Sequence, residues 1–335
     1  VVLGTERNGF VRSLDGGQTW TRHRAGFRPD DPSYPEVWDI DISRSDPDVL
    51  MAATLNSPGP PTGPRGQPGI YRSIDGGENW TQVNCGLTTS RAVSIRIDPL
   101  DPDVAIAGLE GGFPSYTGAS DYYPGGLFRT EDGGENWTRV EIGQNDGFNG
   151  FVIMQTVPTD PSTIITFGMD FSDLSRSLGF LRSTDQGRTW EFFASELRNR
   201  SIDGFGVSSD GRVIYANEGG TYFGWISRDG GESWSQSDIL QVNGPIAVSP
   251  VDPDLVVFAS FDDLRRSTNG LGTMQVVLDT PKSVREIVFA PSNPNIVYAE
   301  TDGYVLYRSD DAGLTWRRLV NVRDDVRDDV LNVQP

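Results

Sequence analysis

An eight-residue phrase recurs along the chain at spacings of 60, 57, 53, 44, 40 and 42 residues. It reads Ser13-Leu14-Asp15-Gly16-Gly17-Gln18-Thr19-Trp20 and returns at 73–80, 130–137, 183–190, 227–234 and 309–316. A seventh copy, Ser267-Thr268-Asn269-Gly270, has lost its Asp and its Trp. A fixed period of this size means that one small unit is repeated and that the units bury their apolar faces on one another. Each phrase stands between two short apolar runs, such as Gly126-Leu127-Phe128-Arg129 before and Thr138-Arg139-Val140 after. Two such runs separated by Asp-Gly-Gly form a hairpin, because glycine supplies the positive φ that a tight turn needs. The Asp carboxylate accepts backbone N–H groups within the turn, and the Trp is an apolar body with one donor to pack beneath it.

A second phrase alternates with the first. Its clearest copy is Ile95-Arg96-Ile97-Asp98-Pro99-Leu100-Asp101-Pro102-Asp103-Val104, with others at 40–49, 246–255 and 287–296. Each is an alternating strand, a Pro-rich turn and an apolar strand. The unit is therefore four strands: A and B around the Pro turn, C and D around the eight-residue phrase. Seven units of about 48 residues predict an all-β, seven-bladed β-propeller with four-stranded antiparallel blades, as one domain over 1–335. The segment 1–5 reads as strand B of the first blade. The segment 329–335 has the strand A pattern with its closing Pro, and is expected to pair with blade one and close the ring.

These phrases resemble the Asp-box (bacterial neuraminidase repeat) family over the whole chain. The resemblance implies a propeller whose boxes join the third and fourth strands of each blade, in a structural role away from the functional face. Within that family, sialidases imply six blades, an Arg triad, a Tyr–Glu pair and an early Arg-Ile-Pro-like motif, of which Arg28-Pro29 is a poor echo. Family 74 glycoside hydrolases imply two seven-bladed propellers facing across a cleft, with an acid from each. The photosystem II assembly factor of cyanobacteria and plastids is similar in size and repeat number, and implies a single propeller without catalysis. Sortilin-type receptors imply ten blades.

Net charge is −19, and Lys282 is the only lysine among 28 basic residues. An acidic surface almost free of lysine is the composition of a halophile, or of an acidic extracellular protein from a GC-rich genome, and it disfavours nucleic acid. An extracellular or cell-surface location is expected, with a halophile cytoplasm as the alternative. No apolar run reaches the ~18 residues of a membrane span. Cys85 is the single cysteine, read as a small buried residue. His23 is the single histidine, placed on strand D at the surface, so a His-rich metal site is excluded and a Ser–His–Asp triad would need His23. No phosphate loop is present, and no cofactor is expected.

Surplus length is concentrated in the B–C loops 56–69, 110–126 and 170–179 and in the D–A connection 24–36. Long loops on a rigid scaffold carry binding. Arg28, Tyr34, Trp38, Arg65, Tyr116, Tyr122, Tyr123 and Phe171 are the candidate ligand contacts, suited to sugars or a protein partner. The expected function is a non-catalytic binding or assembly propeller, acting through this loop face over blades two to four. The alternative is a glycoside hydrolase using two carboxylates from Asp39, Asp121, Asp146 and Asp170. Alignment on the Pro turns puts Asp41, Arg96, Gln155 and Asn332 at one equivalent position, and predicts an Asp41–Arg96 ion pair between neighbouring blades. Arg12, Arg72, Arg129, Arg182, Arg266 and Arg308 each precede a box, which predicts a scaffold role.

Overall fold

Apolar runs of three to ten residues between Gly- and Pro-rich turns leave the backbone only one economical arrangement, the antiparallel meander. The computed structural model describes residues 1–5, 9–27, 36–55, 68–111, 124–142, 150–169, 177–221, 223–240, 242–302 and 305–321. It divides into two compact units, Val1–Thr156 with Pro161–Phe192, and Val157–Asp160 with Phe193–Pro335.

The first sheet is Val2–Gly4, Phe10–Arg12 and Thr21–His23 (β1–β3), and the second Glu36–Ile42, Leu50–Leu55, Gly69–Ser73 and Thr81–Gln82 (β4–β7). Ala92–Ile97, Ala105–Leu109, Gly126–Thr130 and Thr138–Arg139 (β8–β11) make the third, and Gly150–Val157, Asp160–Met169, Ser177–Ser183 and Glu191–Phe193 (β12–β15) the fourth. The fifth sheet is Ile202–Val207, Ile214–Glu218, Phe223–Ser227 and Ser235–Leu240 (β16–β19). The last two are Ile246–Val248, Val256–Ser260, Asp263–Ser267 and Gln275–Asp279 (β20–β23), then Val284–Phe289, Val297–Thr301, Val305–Ser309 and Arg317–Asn321 (β24–β27). The fold is the seven-bladed β-propeller, with strands paired in chain order within each blade and almost no helix. The first sheet has three described strands; the segment 329–335, expected to complete it, lies outside the described residues.

Strand B is covered on both faces, which is why it reads as a continuous apolar run: Leu50–Leu55 and Ala105–Leu109 are buried at every position. Within each unit the core is a series of layers between consecutive blades. Phe10, Phe27, Tyr71 and Trp80 fill the layer between blades one and two, and Tyr215, Val256, Phe258 and Leu271 that between blades five and six.

Each box is a closed hydrogen-bond circuit. Ser13 Oγ donates to Asp15 Oδ1 (2.7 Å) and accepts the Gly17 N–H (2.7 Å). Asp15 Oδ1 accepts the Thr19 N–H (2.9 Å), and Oδ2 its hydroxyl (2.6 Å). Trp20 Nε1 donates to the Gly17 carbonyl (3.1 Å). The turn needs two successive left-handed residues, here Gly16 (φ 73°) and Gly17 (φ 94°). The Ser233 hydroxyl and amide bonds hold the equivalent Asp229 carboxyl down at about 2. The box carboxylates are thus spent on the turn. The decayed seventh phrase keeps the part of the circuit that needs no Trp: Ser267 Oγ accepts the Leu271 N–H (3.0 Å) and the Asn269 amide oxygen the Thr273 N–H (2.8 Å).

The box N–H at its fourth position donates to the A–B turn of the same blade, as from Gly76 to Asp48 (2.9 Å) and from Gly270 to Asp254 (2.9 Å). Boxes and A–B turns therefore share one end of a blade, and the B–C and D–A connections share the other. The arginines before the boxes act as latches. Arg129 Nε donates to the Gln186 carbonyl (3.0 Å) and Arg266 Nε to the Ala312 carbonyl (2.9 Å), in each case the box of the next blade. Arg12 reaches Gly76 and Glu78 in the same way, and Arg72 reaches Asp103. Arg182 and Arg308 pair within their own blades, with Glu191 and Asp310.

Two single residues differ from expectation. Cys85 is exposed; its backbone does the structural work, the carbonyl accepting the Trp137 N–H (2.8 Å). His23 is buried on strand D, stacked on Phe10 at 5.3 Å and held by Glu78 (3.2 Å) and Thr21 (2.9 Å). Burial lowers its pKa, so it serves as a neutral core ring.

Candidate functional site

Among the described residues, strand A carries one extra residue near its start in blades two, three, five and seven. The register slips between Val37 and Asp39, Ala92 and Ser94, Ile202 and Gly204, and Val284 and Glu286. The unpaired residues are Trp38, Val93, Asp203 and Arg285, all at the loop end of their blades. A bulge bends the strand and re-aims a side chain. Val93 turns inward and is buried, whereas Trp38 is 51 % exposed and Asp203 and Arg285 are exposed.

In the first unit, the bulge sets a row of carboxylates on β4 against the free edge of β8. Asp39 Oδ2 accepts the Ile95 N–H (2.9 Å) and Arg96 Nη1 (2.6 Å), while Oδ1 accepts the Ile40 N–H (3.0 Å). Two residues on, Asp41 Oδ2 accepts the Ile97 N–H (2.8 Å) and Oδ1 the Ile42 N–H (3.0 Å). Burial raises the pKa of Asp41, against the pull of Arg96. Asp41 and Arg96 do occupy equivalent registers, opposite Met51 and Ile106. The ion pair differs from the expected one: Arg96 takes Asp39. The β4 bulge between Val37 and Asp39 brings the Asp39 carboxylate to the β8 edge, where Arg96 Nη1 meets it.

The second unit carries two clusters at the loop ends. In blade five, Arg200 pairs with both oxygens of Glu218 (3.0 and 2.9 Å) and lies 4.6 Å over the Trp225 ring, whose Nε1 donates to Glu218 (3.1 Å). The bulged Asp203 lies over Gly219, and burial raises its pKa. In blade seven, Glu286 and Glu300 are direct cross-strand partners, beside the Arg285–Asp302 ion pair. Burial, with the Glu286 charge behind it, pushes the Glu300 carboxyl from 4.5 up to about 8. One carboxyl is thereby held protonated at neutral pH next to a second carboxylate.

This has a consequence for stability. Because the folded pKa lies above the unfolded one, the neutral carboxyl is favoured by folding. The contribution is complete below pH 4.5 and is lost as pH rises towards 8. Glu300→Gln is expected to melt with the wild type near pH 4.5 and several degrees above it at pH 8.5. Thermal melts at the two pH values check this, and an equal difference at both would contradict it.

Of the residues singled out in the sequence, Trp38 and Asp39 lie side by side at the β4 bulge. Arg28, Tyr34, Arg65, Tyr116, Tyr122, Tyr123, Phe171, Asp121, Asp146 and Asp170 lie outside the described residues, as does Asn332. Sequence reasoning missed the Glu286–Glu300 pair and the Arg200–Glu218–Trp225 cluster. Among the described residues, no helix is long and apolar enough to cross a membrane.

A family model described as the BNR/Asp-box repeat matches residues 225–236, which span the fifth copy of the phrase. The xyloglucanase Xgh74A of Acetivibrio thermocellus is 28 % identical over 212 residues, covering 58 % of this chain and 23 % of its own length. A xyloglucanase of Hypocrea jecorina is 25 % identical over 201 residues, covering 53 % and 24 %. The chain spans about a quarter of the length of the curated relatives it matches. Among solved structures, an ancestral GH74 enzyme superposes with a TM-score of 0.69 at 16 % identity, over 95 % of this chain and 44 % of that one. YCF48 from Cyanidioschyzon merolae gives 0.54 at 18 % identity, over 84 % of each chain. YCF48 bound to a D1 peptide gives 0.57 at 14 %, over 88 % and 85 %. At these identities the structural likenesses are of fold.

Proposed function

We infer that this Asp-box β-propeller is a binding module, which recognises a protein or a glycan at the loop ends of blades two to four and performs no chemistry there. The observation that carries this reading is the state of Asp39. Its carboxylate is bonded to two backbone amides and to Arg96. A general acid must hold a proton and a nucleophile must present a lone pair to its substrate. A carboxylate committed in this way is built for holding β8. Beside it the indole of Trp38 stands half out of the protein on a rigid strand, the position and residue type of an interface anchor. YCF48 bound to a D1 peptide is a precedent for ligand recognition on this fold, and fold-level analogy supports the possibility without choosing the ligand.

Trp38→Ala is expected to weaken binding about tenfold, the ~1.4 kcal/mol typical of an aromatic anchor, while the melting temperature stays within about 2 °C. The check is a binding screen of the whole chain against xyloglucan oligosaccharides and peptides, paired with a turnover assay on the same sugars. Binding without turnover supports the module. Turnover abolished by a single Asp→Asn or Glu→Gln change would overturn it.

One observation favours a hydrolase as the second reading. The Glu286–Glu300 pair combines a protonated acid with a neighbouring carboxylate, the pattern of acid and base or nucleophile in glycoside hydrolysis. The two matched relatives are xyloglucanases. Under this reading, turnover on xyloglucan is lost in both Glu286→Gln and Glu300→Gln.

A further inference from the structure

Side chains alternate across a strand, so residues two apart share a face. On β17, Tyr215 faces the layer between blades five and six, and so does Asn217. On β21, Val256 and Phe258 face that layer from the other side, and so does Ser260. Below, the layer is apolar: Tyr215, Val256, Phe258 and Leu271. At its loop end it is polar on both sides. Asn217 is 0 % exposed and Ser260 1 %. Among the described residues, neither the Asn217 amide oxygen nor its nitrogen has a hydrogen-bond partner in the protein, and the Ser260 hydroxyl has none.

Backbone converges on the same place. A Cβ at Gly204, the cross-strand partner of Asn217, would lie 2.9 Å from Asn217 Oδ1 and 2.5 Å from the Gly244 carbonyl oxygen. The inner strand of blade five and the segment leading into β20 therefore pass so close that only glycine fits, and the Asn217 amide oxygen and the Gly244 carbonyl oxygen both lie within 3 Å of that position. A buried amide and hydroxyl left unbonded would each cost ~1–3 kcal/mol. Buried polar groups in folded proteins are almost always satisfied, and those without a protein partner are satisfied by an internal water with two to four polar contacts.

We propose that the blade five–six layer binds one internal water, held by the Asn217 amide, the Ser260 hydroxyl and the Gly244 carbonyl. The donor inventory matches: the amide supplies an acceptor oxygen and two N–H donors, the hydroxyl one donor and two acceptor lone pairs, the carbonyl an acceptor. The set carries no formal charge, which suits a neutral dipolar ligand better than a divalent cation. Such a water plugs the loop end of the apolar layer and pins β17 to β21 at one register.

A high-resolution crystal structure of the full chain tests this directly. The expected result is one water about 2.7–3.2 Å from at least two of the three groups. A direct Asn217–Ser260 hydrogen bond, an empty space, or a cation with short, regular oxygen contacts would each overturn it. Ser260→Val tests it in solution. If a water is held there, the larger apolar side chain evicts it and leaves Asn217 unbonded, and the melting temperature falls by several degrees. If the space is dry, valine fills it and the melting temperature holds or rises, and the proposal fails.

Discussion

Asp39→Ala is expected to destabilise the first unit by about 2–3 kcal/mol, and to do so at β8, a strand of the neighbouring blade. The carboxylate accepts one N–H of the β8 edge and one guanidinium nitrogen, and neither donor keeps a partner from Asp39 when the side chain is truncated. Breaking a fully buried pair costs ~3–5 kcal/mol. Here Asp39 and Arg96 keep 18 % and 25 % of their side-chain surface exposed, so water compensates in part and the lower figure applies. Asp39→Asn retains an acceptor for the Ile95 amide but loses the charge, and is expected to cost about half as much. Hydrogen exchange across residues 92–97 reads the effect where it arises, with protection of the Ile95 amide lost in the alanine variant. Calorimetry gives the magnitude. The competing outcome is distinctive: unchanged melting and exchange, together with loss of turnover on a sugar, would make Asp39 a catalyst and remove the main support for a binding module.

The repeat was legible because its chemistry is local. The Ser and Asp bonds of the box circuit close within five residues, and so does the Trp bond in every box but the third, where Trp137 Nε1 reaches the Val83 carbonyl; Ser, Asp, Gly and Trp at fixed offsets therefore carry the motif, and even Asn269 can be recognised as a stand-in for Asp. The four-strand unit followed from the same locality, because each turn names itself by Pro, Asp or Gly. What was not legible depends on register between distant segments. Arg96 and Asp41 were correctly placed at equivalent heights, but the partner of Arg96 depends on the β4 bulge, which brings the Asp39 carboxylate to Arg96 Nη1. The β4 bulge left no signal of its own, since Val37-Trp38-Asp39 shows no glycine or proline to mark the extra residue. Glu286 and Glu300 meet only because β24 and β25 pair with a one-residue slip. Cys85 and His23 show the reverse problem. Their burial was inferred from residue type, whereas neighbours decide it: Phe10 and Glu78 enclose the histidine, and the cysteine contributes its carbonyl rather than its sulfur.

The largest single effect is expected from Gly26→Ala. Gly26 follows strand D of blade one, where the chain turns with φ 87°. The preceding carbonyl, of Ala25, accepts the N–H of Trp80 in the box of blade two (2.8 Å). A Cβ at Gly26 would lie 1.8 Å from the Trp80 carbonyl oxygen. Trp80 cannot retreat, because its ring is buried against Phe10 at 5.1 Å and Phe27 at 5.0 Å. Either the inter-blade hydrogen bond breaks or the aromatic cluster moves. The left-handed backbone alone costs a non-glycine residue ~1–2 kcal/mol, and overpacking adds ~1–3 kcal/mol or more. A total near 4 kcal/mol corresponds to a fall of roughly 8–16 °C in melting temperature, with the buried tryptophan emission shifting to the red. Gly86 repeats the arrangement against Trp137, at φ 90° and 2.1 Å, and is expected to behave alike. Gly220 separates the two causes: it has φ 78° but nothing within 4 Å of its Cβ position, so Gly220→Ala carries the backbone cost alone, roughly 2–8 °C. If Gly26→Ala and Gly220→Ala melt together, the close passage of blade one over the box of blade two is not what holds the two blades in register.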